Sequence, residues 1–157
     1  LPKVAVEAGY EILLEPGITL EVVHPPSKPI GGPRPDRNNN GVVLRLVYGG
    51  VSFLLASDIE AEAENYLARQ GPVLRSTGLK VPHHGSKTST TEAFLARVDP
   101  AVAVVSVGEG NRFKHPSPEV VQRLGESVVP GGVYRTDQDG TIELITNGES
   151  LWVRTQR

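Results

Sequence analysis

The chain contains no cysteine and no methionine. Without thiols there is no disulfide framework, no thiolate metal ligand and no cysteine nucleophile; an oxidising compartment is allowed but not implied. Charge of one sign is lacking too. The chain carries 16 basic and 18 acidic residues, a formal net charge of −2, so no bulk field draws it to nucleic acid or to anionic membrane. A local basic groove is compatible with that balance. No apolar run approaches the length needed to cross a bilayer, and this segment is expected to be soluble. The missing methionine bears on the start as well. Leu1-Pro2 is neither an initiation site nor a signal peptide, and the expectation is a piece of a longer protein. Its 157 residues suit one domain with one core.

What is present begins with β-prone runs. Residues 10–14 and 18–23 flank Glu15-Pro16-Gly17 and read as a hairpin. Residues 25–40 are crowded with Pro, Gly, Asp and Asn, including Gly31-Gly32-Pro33, and read as a surface loop. Residues 42–48 alternate around Gly49-Gly50 into the apolar run 51–56, a second hairpin whose latter strand is expected to be buried on both faces. A helix over 59–70, a strand over 79–82, a helix over 88–98, a strand over 101–107 and a short helix from Ser117-Pro118 follow. The strand over 101–107 is likewise expected to be buried on both faces. Strands at 133–136, 141–146 and 151–155 close the chain, with no repeat at a solenoid period. Strand and helix alternating between hairpins predicts a mixed α/β layered fold.

The chemistry concentrates in Lys80-Val81-Pro82-His83-His84-Gly85-Ser86-Lys87-Thr88-Ser89. Imidazole is the commonest protein metal ligand near neutral pH. Asp58 ends another strand, so a carboxylate and imidazoles at two strand ends can share a metal, and a carboxylate can bridge two ions that clamp a phosphodiester. As a helix N-cap, however, Asp58 would explain itself without any function. His83 and His84 cannot point the same way if their backbone is extended, and His84 is the preferred direct ligand. Ser86 and Lys87 would meet a scissile phosphate as donor and point charge, although the hydroxyls at 88–91 also suit helix capping. Ser86 has no recognisable base and is not read as a nucleophile. His115, between Arg112, Lys114 and Pro116, is either a solvated loop residue or an acid or phosphate contact at the mouth of the site. Asn38 to Asn40 suit a loop, with Asn40 a candidate to turn an amide to substrate. His24 reads as structural.

Taken in order, Asn38-Asn39-Asn40-Gly41-Val42-Val43-Leu44-Arg45-Leu46, Ser57-Asp58, His83-His84-Gly85-Ser86-Lys87, Asn111-Arg112-Phe113-Lys114-His115-Pro116 and Val133-Tyr134-Arg135-Thr136-Asp137 resemble the C-terminal metallo-β-lactamase-like domain of the ComEC family of competence proteins. The resemblance covers essentially the whole chain. It implies an αββα sandwich with two divalent ions, zinc or manganese, between its sheets, and a role in degrading the DNA strand that is not imported. Asp58 matches the bridging aspartate, His83-His84 the late histidine motif, and His115 the histidine of the family's Asn-Arg-aromatic-x-His-Pro loop. Arg112, Lys114 and Asn40 are the candidate substrate contacts, and His115, Ser86 and Lys87 the candidate catalytic groups.

The family's early His-x-His-x-Asp-His cluster, or its Ser-His-x-Asp-x-Asp-His form, has no counterpart here. Residues 1–157 are therefore expected to be a single truncated domain, the C-terminal half of the sandwich, inactive alone and binding metal weakly or not at all. The complete domain would act on single-stranded DNA beside the membrane channel region of the same polypeptide, at the cell membrane. A missing layer would expose an apolar patch, which predicts a non-native dimer or a strained partial fold. Two alternatives stay open. One is a related hydrolase of another phosphodiester or ester. The other is a DNA-binding module with a vestigial metal site, docking through Lys87, Arg112 and Lys114.

Overall fold

A computed structural model describes residues 5–31, 36–70 and 73–157. The opening Leu1-Pro2 and the Gly32-Pro33 part of the loop lie outside those residues. Turn chemistry sets the N-terminal meander. Strands β1 (Glu11–Glu15) and β2 (Ile18–His24) pair antiparallel across Pro16-Gly17, and β3 (Val43–Tyr48) and β4 (Val51–Leu55) pair across Gly49-Gly50. From β4 onward the strands run parallel: β5 (Gly78–Lys80), β6 (Val102–Val105) and β7 (Val133–Arg135). Their crossovers carry α1 (Ala61–Gln70), α2 (Glu92–Val98) and α3 (Pro118–Ser127). A separate hairpin, β8 (Thr141–Thr146) and β9 (Leu151–Gln156), closes the fold. The class is mixed α/β, as the pattern predicts.

The seven strands lie in sequence order, β1 to β7. Right-handed crossovers that always step the same way along a sheet put every helix on one face. The core follows from that. Leu54, Leu79 and Ala103 lie side by side across β4, β5 and β6, and all three are fully buried beneath Ala63 and Leu67 of α1, Phe94, Leu95 and Val98 of α2, and Val120 and Leu124 of α3. Their i, i+3 and i+4 spacings form the apolar stripe that each amphipathic helix turns inward. Burying each such leucine or phenylalanine favours folding by roughly 1.5–3 kcal/mol.

The opposite face differs from expectation. Leu46, Phe53 and Gly78 form one row across the sheet, and Leu44, Leu55, Lys80 and Val104 the next. No helix covers these rows among the described residues. Leu55 is 41% exposed, against 0% for its neighbour Leu54. The strands at 51–56 and 101–107 are thus buried on one face rather than two, because all three crossovers went to the same side. The β8–β9 hairpin covers part of the open face: Ile142 and Leu144 stand over Phe53 and Gly78 and border a groove of about 290 Å³. Gly78 is required there, since a Cβ would lie 2.6 Å from the Phe53 ring.

Candidate metal and substrate site

Carboxyl ends of parallel strands gather side chains at one edge of an open sheet, and here β4, β5 and β6 deliver Asp58, His83-His84 and Ser106. The backbone at the histidines is not extended. Pro82–Gly85 forms a tight helical turn in which His83 and His84 both adopt left-handed conformations, at φ 47° and 54°. The His83 amide donates to the Ser57 carbonyl at 3.1 Å, the Ser86 amide donates back to the His83 carbonyl at 2.9 Å, and the Ser89 hydroxyl donates to the Pro82 carbonyl at 3.1 Å. Gly85 lies directly beneath Pro116, where a Cβ would come within 2.6 Å of the proline ring. The two motif loops are therefore packed against each other.

This turn sends the imidazoles to different partners. His84 Nδ1 lies 2.6 Å from the Ser106 carbonyl. A carbonyl only accepts, so Nδ1 is the donor there, and in the neutral ring Nε2 keeps its lone pair. That Nε2 faces Asp58 Oδ1 at 3.5 Å. Two donors of one tetrahedral zinc stand about 3.4 Å apart, so the pair fits one ion, and the carbonyl behind His84 is the orienting contact that metal-ligating histidines usually have. Asp58 and His84 would hold such an ion, which supplies Lewis acidity and a lowered water pKa at the cleft. Among the described residues no group of three His, Cys, Asp or Glu side chains converges to complete the ligand set.

His83 turns the other way. Its Nδ1 lies 3.2 Å from Glu60 Oε1, within ion-pair range, but out of line for a hydrogen bond and buried without another partner among the described residues. Glu60 also accepts from Asn38 Nδ2 at 3.3 Å. The His83 ring meets His115 edge to face at 5.9 Å, and His115 stacks on Phe113 at 5.8 Å. Lost solvation, and then the nearby His83 and His84, hold the His115 imidazole below its usual pKa. Lys80 is likewise pulled down by burial and partly restored by Asp58; its ammonium donates to the Val81 carbonyl at 2.9 Å. A cleft of about 540 Å³ opens beside this cluster, lined by His84, Ser106, Asn111, Phe113, His115 and Thr136.

The asparagine run shows why Asp58 is not a cap. Asn39 is buried, and its Oδ1 accepts from the amides of Glu60 and Ala63 at 3.1 and 3.2 Å, taking the capping role at the start of α1. Asn40, the candidate substrate contact, spends its amide on the loop, accepting from the Ile30 amide and donating to the carbonyls of Ile30 and Asp36. Asn38 is the member of the run that reaches towards the histidines. Ser86 is buried and bonded to Thr88 at 3.0 Å, outside the cleft lining. Lys87 is exposed and lies near Glu119 at the start of α3. The structure thus gathers Asp58, His83, His84 and His115, with Arg112 and Lys114 on the adjoining loop, and leaves Asn40, Ser86 and Lys87 in supporting positions.

Glu60, Ser106 and Phe113 were not legible as site residues. Glu60 reads as one of several early-helix acids, and Ser106 acts through its carbonyl, which no side-chain pattern reveals. Behind the motif, the fully buried Glu64 accepts from the Thr90 and Thr91 amides and ties the turn at 86–91 to α1. Burial raises its pKa, against the pull of those amides and of Arg123.

The fold and site define a mixed α/β sheet with a carboxylate–imidazole pair at its carboxyl edge, and relatives narrow the choice of family. No protein-family model matches the chain. It is 41% identical over 107 residues to ComE operon protein 3 of Bacillus subtilis, covering 68% of this chain and 14% of that protein. It is 37% identical over 109 residues to competence protein ComA of Neisseria gonorrhoeae, covering 69% and 16%, and 41% identical over 87 residues to recombination protein 2 of Haemophilus influenzae, covering 55% and 11%. These relatives point to the competence, ComEC-like family of DNA-uptake proteins, and the matches span only about one-seventh of their length. No described helix is long and apolar enough to cross a membrane.

Proposed function

We propose that this chain is the C-terminal half of a metallo-β-lactamase-like phosphodiesterase domain, acting on DNA within a competence protein of the cell membrane. The observation that carries the reading is the pairing of Asp58 with the lone-pair nitrogen of His84, at a separation suited to one shared ion and with Ser106 fixing the tautomer. His83, near Glu60 and facing His115, would contact a phosphate oxygen. The apolar face beside the site supports the half-domain reading, because Leu44, Leu46, Phe53 and Leu55 form a surface that a second sheet would cover. The remaining ligands and that sheet would both come from preceding sequence, in a polypeptide of the length its relatives have.

The test uses the polypeptide extended upstream to the size of a full domain. Zinc or manganese affinity and cleavage of single-stranded DNA are measured for the parent, Asp58→Ala and His84→Ala. Loss of either ligand is expected to lower metal affinity and abolish cleavage. Unchanged affinity in both variants would refute the metal reading. Cleavage persisting in both would refute these two residues as its centre. DNA binding without cleavage in the parent would favour a non-catalytic module.

A further inference from the structure

We propose that Phe113 is a stacking platform for an unpaired base of a single-stranded polynucleotide, with Arg112 and Lys114 taking the phosphates on either side. The inference rests on the nucleic-acid reading above and adds how the strand is held and why it must be single. Phe113 is 64% exposed, yet it belongs to an ordered column. Its inner face stacks on His115, with an interplanar angle of 17°, and the Arg112 guanidinium lies 4.8 Å from the ring centroid. A planar cation on the ring occupies the place a base would take, and it is an exposed side chain free to swing to a phosphate.

The platform is rigid for a loop. Asn111 Nδ2 donates to the carbonyls of Gly108 and His115, its Oδ1 accepts from the His115 amide at 3.0 Å, and the Ser117 amide donates to the Gly85 carbonyl at 2.9 Å. An aromatic fixed before binding loses little conformational freedom on complex formation. Phe113 also lines the same cleft as His84 and His115, so a base seated on it would lie in the cleft that holds the imidazole of the candidate metal pair. A cation–aromatic–cation triplet suits a strand whose bases are splayed out, since every base offers a π-face and every linkage a charge. Paired bases have both faces covered within the duplex, so a duplex gains only the charge contacts.

The experiment is fluorescence anisotropy with three probes in chelator: a labelled oligothymidylate, an abasic strand of equal length, and a duplex. Phe113→Ala and Phe113→Leu are expected to weaken oligothymidylate binding about tenfold or more, the worth of one base–aromatic stack, and Phe113→Tyr to retain it. None of the three should alter binding of the abasic strand or the duplex. Phe113→Leu keeps an apolar side chain of similar reach, so its loss separates stacking from altered loop packing. Equal loss on the abasic strand, no loss on oligothymidylate, or a parent chain that binds no probe would each overturn the proposal. The first two outcomes leave DNA binding by the parent intact and fail the stacking alone, whereas the third fails the nucleic-acid reading with it; the metal affinity of Asp58 and His84 is tested apart from both.

Discussion

Asn39→Ala should be one of the most destabilising single changes outside the apolar core. The residue is 5% exposed, and its side-chain oxygen accepts from two amides at the start of α1, those of Glu60 and Ala63. Removing an N-cap costs about 0.5–2 kcal/mol, and a donor stranded in a buried setting costs about 1–3 kcal/mol. Ala63 is fully buried, so water cannot replace the lost acceptor there. The combined loss is about 2–3 kcal/mol, which for a chain of this size moves the urea midpoint by about 1 M. Asn38→Ala is the control: its amide makes one longer bond to a partly exposed carboxylate, at 3.3 Å, and should cost less than about 1 kcal/mol. Asn39→Asp keeps the acceptor and adds a charge that favours a helix start, against the cost of burying it, and should recover most of the loss. An Asn39→Ala midpoint no lower than that of Asn38→Ala would refute the capping argument.

Gly85→Ala combines a left-handed φ of 77° with a Cβ 2.6 Å from Pro116, and about 2–4 kcal/mol of strain and overpacking is expected; differential scanning calorimetry reads it, and an unchanged midpoint would show that the two loops can part freely. His24 is fully buried, and burial holds its pKa below 6.5, partly offset by its hydrogen bond to the Asn39 carbonyl. A depressed folded-state value means that stability is complete above about pH 6.5 and falls as pH drops through the folded value. His24→Gln keeps a donor for Asn39 and should flatten that acid slope in urea midpoints; identical slopes would exclude His24 as the cause.

Much of the fold was legible because its signals are local. Pro16-Gly17 and Gly49-Gly50 mark turns, and Thr91 and Ser117 cap α2 and α3 where hydroxyls precede the helical pattern. What misled was a non-local quantity. An all-apolar strand reads as covered on both sides, and only the handedness and direction of three crossovers show that one side of Phe53 and Leu55 has no helix among the described residues. The site divided in the same way. Asp58, His83, His84 and His115 carry their chemistry in their side chains and could be picked out. The carbonyl of Ser106 and the cap by Asn39 depend on chain reversals of 22 and of 21 to 24 residues, which no short pattern encodes.

The left-handed histidines supply the sharpest test of whether this turn serves stability or chemistry. A residue with a Cβ costs roughly 1–2 kcal/mol in that region, and glycine or asparagine costs less. A turn selected for stability alone would use those residues, whereas imidazoles at φ 47° and 54° retain strain that the bonds to Ser57, Ser86 and Ser89 hold in place. Such outliers cluster where orientation matters more than stability. His84→Ala, His84→Gly and His84→Asn all lose the imidazole proton donated to Ser106, so their differences report the backbone. Glycine and asparagine should each exceed alanine by about 1 kcal/mol in unfolding free energy, while all three lose the nitrogen that faces Asp58. An alanine variant as stable as the glycine one would mean that the turn stores no strain at His84. The orientation of that imidazole would then carry no cost, and the backbone would no longer argue for function.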